Sequence, residues 1–152
     1  MADRIAIASD HAAFELKAAL AEHIRGLGHY VLDLGPEGVD PVDYPDYGYR
    51  IAEAIASGEA DKGVAICGSG IGISIAVNRH PAARAALVSE PLSARLAREH
   101  NDANVLALGA RIIGAEMAKA CINAFLATDF GGDRHLRRVQ KLSNPSFAKE
   151  PA

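Results

Sequence analysis

Short apolar runs alternate along the chain with segments whose apolar residues recur at helical spacing. The first run, Arg4–Ser9, predicts a strand that ends in Asp10-His11. Phe14, Leu16, Ala18, Ala19, Leu20, Ile24 and Leu27 then trace one face of a helix, which Gly26 and Gly28 close. Tyr30–Leu34 predicts a second strand. The Gly-, Pro- and Asp-rich stretch from Gly35 to about Pro45 is long enough to be functional rather than a plain connector. A helix is expected over Tyr47–Ser57 and a third strand over Lys62–Cys67. The pattern continues with a helix over Gly70–Asn78, a strand over Ala83–Val88 and a helix from Pro91 to about His100. A fifth strand, Asn104–Gly109, and an apolar helix, Gly114–Ala127, complete the alternation. After the break at Phe130-Gly-Gly-Asp133, Asp133 is placed to cap a last short helix, and the tail from Ser143 to Ala152 is expected to be loose.

Five strand–helix alternations predict a parallel sheet covered on both faces. The expected fold is α/β, a three-layer α/β/α Rossmann-like (flavodoxin-like) domain over 1–152 with a five-stranded sheet and a C-terminal helix. In such sheets ligands bind beyond the carboxyl ends of the strands, where the strand order reverses. An order of 2-1-3-4-5 puts that point between the first and third strands. It would bring Asp10 and His11 to the same crevice as Cys67, more than fifty positions away.

The stretch that carries most chemistry is Cys67-Gly68-Ser69-Gly70-Ile71-Gly72, between a strand and a helix. Its glycines let a ligand approach the backbone, and unpaired N–H groups in a first helical turn favour negative charge. The same field favours the thiolate of a cysteine set there. The run is not a dinucleotide fingerprint, because Ile73 stands where the third glycine belongs. It lacks the Gly-Lys-Ser/Thr of a P-loop, and it lacks the arginine of a cysteine-phosphatase loop. The plainer alternative is a small buried cysteine ending a core strand.

Composition narrows the classes. With 152 residues, 49% hydrophobic, one domain with a real core is expected. A formal charge of −3 and a pI near 6.0 give no sign of nucleic-acid or anionic-membrane partners. Aromatic residues make up 5% of the chain and tryptophan is absent, which weakens any base-stacking platform. Two cysteines and no signal-peptide pattern fit a reducing cytoplasm. No apolar run reaches the roughly 18 residues that span a bilayer.

Several further residues carry a chemical and a structural reading at once. Asp10 can orient a hydroxyl or cap the first helix. His11 can meet a phosphate or stand inert. His100 is a candidate acid or base, and a helix C-terminus also suits a histidine. Arg134 and Arg138 share a helix face and suit a phosphate, or form a solvated basic face. Cys121 reads as core. No H-x-H or C-x-x-C spacing supports zinc. Together a thiol, a histidine, a glycine nest and an arginine pair suit a small phosphorylated substrate and proton transfer.

Ser9-Asp10-His11, Cys67-Gly-Ser-Gly-Ile-Gly72, Ser89-Glu-Pro91, His100-Asn101-Asp102, Gly109-Ala-Arg111 and Gly-Gly-Asp-Arg134-His-Leu-Arg-Arg138 stand in this order. In these motifs the chain resembles the type B ribose-5-phosphate isomerases, a family that includes galactose-6-phosphate isomerase subunits. The resemblance implies a metal- and cofactor-free aldose–ketose isomerase working through a cis-enediolate. It implies Cys67 as the carbon base, His100 as the acid that opens the furanose, and Asp10 and Ser69 as assistants. The backbone of Gly68, Gly70, Ile71 and Gly72 would hold the enediolate oxygen. His11, Arg111, Arg134 and Arg138 match phosphate-side positions, Asn101 a sugar contact, and Tyr44 and Tyr47 pocket walls. The family assembles as homodimers or dimers of dimers, so the resemblance also places His100, Asn101 and Arg111 against the Cys67 of a partner chain. Other phosphosugars (tetrose, allose or galactose phosphate) and a non-catalytic phosphosugar-binding domain are the competing readings.

Overall fold

The computed structural model describes residues 2–147. Five parallel strands, β1 (Arg4–Ser9), β2 (Tyr30–Asp33), β3 (Lys62–Cys67), β4 (Ala85–Leu87) and β5 (Val105–Gly109), form one sheet. The helices are α1 (Phe14–Gly26), α2 (Tyr44–Ala56), α3 (Ile71–Val77), α4 (Pro91–Asn101), α5 (Ala115–Leu126) and α6 (Arg134–Ser143). A 3-10 turn, His11–Ala13, leads into α1.

Side chains alternate across the strands, and the two faces differ in size. Ile5, Ile7, Val64, Ile66, Leu106 and Leu108 point to one face and meet Leu20, Ile24, Ile122 and Phe125 of α1 and α5, with α4 beside them. Ala8, Ala65, Cys67 and Val105 point to the other and meet Ile51 of α2 and Ile73 and Val77 of α3. Bulk on the first face and small side chains on the second let α2 and α3 lie close to the sheet. That is the face onto which Cys67 opens.

The strand order is β2-β1-β3-β5-β4. The expected order 2-1-3-4-5 has its last two strands exchanged. β5 is buried along its whole length, whereas β4 has three residues, none of them buried. A strand that is apolar on both faces gains more from an interior place, and a short, half-exposed one suits an edge. The reversal between β1 and β3 is unaffected.

Three further expectations shift. α2 starts at Tyr44, three residues early, because Pro45 sits in its first turn, where its fixed φ is tolerated. Asp133 precedes α6 but its side chain makes no cap bond; at φ 52° it lacks the extended backbone of an N-cap. Ser143, the first residue of the expected loose tail, belongs instead to α6, and residues 148–152 lie outside the described residues.

Gly63 of β3 is the tightest point under α2. A Cβ there would lie 2.6 Å from Ile51 Cγ2. Gly63→Ala is expected to cost about 1–3 kcal/mol through overpacking, measured by urea unfolding.

Candidate active site

The carboxyl ends of β1, β3 and β5 meet at one crevice. Asp10 N–H donates to Ile66 O at 3.1 Å, which locks the residue after β1 to β3. Cys67 pairs in register with Gly109, Ala110 N–H donates to Cys67 O, and Arg111 N–H donates to Gly68 O, both at 2.9 Å. The crevice encloses about 670 Å³ between Asp10, His11, Tyr44, Cys67, the Gly68–Gly72 loop and Arg111. Ile75 of α3 and Ile112 close its apolar side.

Within the loop, Gly70 takes φ 78°, a conformation that glycine adopts without strain. Its N–H thereby turns back onto Cys67 Sγ at 3.1 Å. Ser69 Oγ accepts from Ile71 N–H at 3.1 Å, so this hydroxyl braces the loop. The first intrahelical bond of α3 is Ser74 N–H to Gly70 O. The sulfur is therefore buried at its base, accepts a main-chain N–H, and borders the open space.

Asp10 fills its capping reading. Its Oδ1 accepts from Ala13 N–H at 3.2 Å, capping the 3-10 turn, and the residue also lines the crevice. His11 Nδ1 accepts from Val42 N–H at 3.1 Å. In the neutral ring the proton is then on Nε2, an N–H donor. The same bond ties down the loop between β2 and α2. Asp33 anchors that loop's other end, accepting from Gly35 N–H at 2.9 Å and from the buried Lys17 Nζ at 2.7 Å. Tyr44 packs its ring on Gly72 and forms a wall. Tyr47 does not: it is buried, with the Arg50 guanidinium 4.5 Å above its ring, and lines a separate cavity with Phe14, Lys17 and Pro36.

Arg111 belongs to the crevice of its own chain, with its side chain running across Gly68. The resemblance implied that it faces a partner's Cys67, with its strand at the sheet edge. β5 lies beside β3 instead, so Arg111 emerges next to Cys67.

His100, Asn101, Arg134 and Arg138 gather elsewhere. His100 and Asn101 end α4, which runs back from the carboxyl end of β4 to the start of β5. The five residues of β5 then separate them from Arg111, a run of about 16 Å at the usual rise per residue. None of the four lines the Cys67 crevice. Beside His100, however, α6 contributes His135, whose ring stacks on that of His100 with centroids 4.5 Å apart and planes at 15°. Exposed Arg134 and Arg138 flank it. Partial burial, then the charges of His100, Arg134 and Arg138, lower the His135 pKa, against a smaller opposing pull from Glu99. Sequence reasoning assigned no role to His135; the only clue is its place between the two arginines. Asn101 turns to a different cavity, with Arg84, Asn78 and Leu142.

Cys121 is core, and burial first, then the Glu90 carboxylate, push its thiol up. Both cysteines are free. Among the described residues no group of three or more His, Cys, Asp or Glu is disposed to hold a metal ion, and no helix is long and apolar enough to cross a membrane.

A thiol on a glycine loop at the reversal point of a parallel sheet, ringed by a carboxylate, an imidazole and a guanidinium, defines a doubly wound α/β protein built to act on a small anionic ligand. The family described as Ribose/Galactose Isomerase matches residues 5–142. Ribose-5-phosphate isomerase B of Escherichia coli is 44% identical over 92% of this chain and 94% of its own. D-erythrulose-4-phosphate isomerase of Pectobacterium atrosepticum is 41% identical over 91% of each. A solved ribose 5-phosphate isomerase from Thermotoga maritima superposes with a TM-score of 0.90 at 50% identity, over 93% of this chain and 97% of that one. The chain belongs to the ribose/galactose isomerase family and is an isomerase.

The depressed His135 pKa has a consequence for stability. The unfolded chain binds this proton near pH 6.5, whereas the folded chain resists it. Stability from this group is therefore intact above about pH 7 and declines as pH falls through 6.5 and below. Calorimetric Tm is expected to drop between pH 7.5 and 5.5, and to drop less in His135→Phe.

Proposed function

We propose that the protein interconverts D-ribose 5-phosphate and D-ribulose 5-phosphate, with Cys67 as the base that moves the carbon-bound proton. The observation that carries this reading is the place of Cys67 Sγ, which borders a crevice where Asp10, His11 and Arg111 converge on the glycine loop. The phosphate is read by the Nε2–H of His11 and the Arg111 guanidinium, joined by Arg134 and Arg138. His100 donates a proton to the ring oxygen while Asp10 takes hydroxyl protons, and the furanose opens to the aldehyde. The Cys67 thiolate then removes the proton from C2, and the electrons pass to the aldehyde oxygen to give a cis-enediolate. Backbone N–H groups of the Gly68–Gly72 loop stabilise that oxygen. The proton on sulfur returns to C1 while the C2 hydroxyl proton passes to the C1 oxygen, leaving the ketose. Substrate and product are isomers, so no electron carrier is needed, and the steps of this reading are carried by the chain's own residues.

His100, Asn101, Arg134 and Arg138 reach such a site only from a second subunit, because within one chain they lie at the other end of the sheet. The reading is therefore a cytoplasmic homodimer, or a dimer of dimers, with each site assembled across the interface. The position of Arg111 changes one detail: it serves the Cys67 of its own chain. A tetrose phosphate is the second reading, favoured by the whole-length likeness to the Pectobacterium isomerase.

Proton NMR of ribose 5-phosphate with the protein in D₂O containing EDTA tests the activity. Ribulose 5-phosphate carrying deuterium at C1, from solvent exchange of the sulfur-bound proton, is expected, and Cys67→Ala is expected to lower kcat by about 10³-fold or more while phosphate binding persists. Turnover surviving that change refutes the base. Turnover of tetrose phosphate alone shifts the substrate, and binding without turnover of any phosphosugar favours a binding domain.

Subunit mixing tests the shared site. Cys67→Ala and His100→Gln subunits, each inactive alone, should regain about a quarter of the wild-type rate after one-to-one exchange, because each mixed dimer holds one intact site. Mixtures that stay inactive despite exchange argue for sites within single chains.

A further inference from the structure

We infer that His135 is a positioning residue for His100: the two stacked rings form one unit, and His135 sets the plane from which His100 delivers its proton. This rests on the reading of His100 as the acid that opens the furanose.

The stack is built by the chain on both sides. Arg98, nearly buried in α4, donates from Nε to Thr128 O at 3.1 Å and from Nη1 to Asp102 Oδ1 and Ala103 O, both at 2.8 Å. One guanidinium thus fixes the end of α4 to the segment that leads into α6. Gly131 N–H donates to Glu99 O at 2.9 Å, beside His100. A Cβ on Gly131 would stand 3.0 Å from that carbonyl and 3.7 Å from His135 Cδ2, so the absent side chain lets the segment close on α4. His135 N–H then donates to Gly132 O at 3.0 Å. α6 is otherwise held by one buried apolar residue, Val139, and at its last residue by the bond from Arg84 Nη1 to Ser143 Oγ at 3.3 Å. Its first turn is therefore seated by these bonds and by the rings themselves.

The surroundings of the two rings differ. Partial burial first, then the charges of His100, Arg134 and Arg138, disfavour the imidazolium form of His135. The Glu99 carboxylate lies beside the other ring, with Oε1 3.8 Å from His100 Nε2. A neutral, flat His135 stabilises a proton on its neighbour by cation–π contact, whereas two imidazolium rings at this distance repel. The arginines that would hold the phosphate stand in α6 with His135, so phosphate recognition and acid geometry share one short helix.

The test is a double-mutant cycle on ribose 5-phosphate turnover with the full-length protein. His135→Ala is expected to lower kcat about tenfold with KM changed less than about twofold, as a misdirected acid would. His135→Phe keeps a flat ring and is expected to recover kcat to within about threefold of wild type. His135→Gln, close to histidine in size but without a ring, should lose as much as His135→Ala and replaces it if the alanine variant fails to fold. The double variant His100→Gln/His135→Ala should be no slower than His100→Gln alone. A wild-type kcat in His135→Ala, a loss confined to KM (the mark of a phosphate ligand), or losses that multiply in the double variant each overturn the inference. Wild-type turnover in His100→Gln would instead remove the acid assignment itself, and the inference with it.

Discussion

The parallel pairing of β3 between β1 and β5 is the constraint on which the crevice depends. It sets Ser9 against Ile66 and Cys67 against Gly109, so three strands end level with one another. Main-chain bonds extend the pairing past the strand ends, from Asp10 to Ile66 and from Arg111 to Gly68. Side chains distant in sequence are thereby held by the backbone, which has little freedom to drift. Burial of the paired residues makes the arrangement rigid, and a slip by one residue would turn Cys67 to the opposite face.

Difference in size between the two faces of the sheet supports this pairing. The large apolar side chains between the sheet and α1 and α5, Phe125 among them, form the largest of the buried clusters. The alanines, Gly63 and Cys67 on the other face allow α2 and α3 to approach. Tyr44 then reaches Gly72, and the glycine loop lies against the sheet. Stability is concentrated on one face and access to the thiol on the other, so the core can stay closely packed while the crevice stays open.

Chemistry is divided in a second sense. Groups suited to binding an anion and removing a carbon-bound proton lie at the carboxyl ends of the strands. The stacked histidines and the arginine pair lie near the amino end of β5. A small subunit has no way to fold these ends together, because the strands between them are stiff and buried. Two-fold assembly brings such opposite ends into contact without any change in the fold. That is the physical argument for sharing sites between subunits.

Much of this was legible in the residues. Apolar runs and helical spacing located all five strands and six helices, because buried strands and one-sided helices leave strong periodic signals. Spacing around Cys67 pointed to a thiol beside a nest, and Asp10-His11 fell at the reversal point by topology alone. The family motifs identified the same positions. The exchange of β4 and β5 was not legible, because burial along both faces of β5 is a property of its neighbours and not of its composition. Arg111 and Tyr47 were misplaced for the same reason: strand order and helix packing decide which crevice a residue meets. The pairing of His135 with His100 joins side chains 35 positions apart through a helix contact that no local pattern records. The sequence by itself determined which elements form and which chemistry is available, since both depend on local side-chain character. Only the tertiary structure decided which of those groups share one space, because that depends on long-range packing between elements.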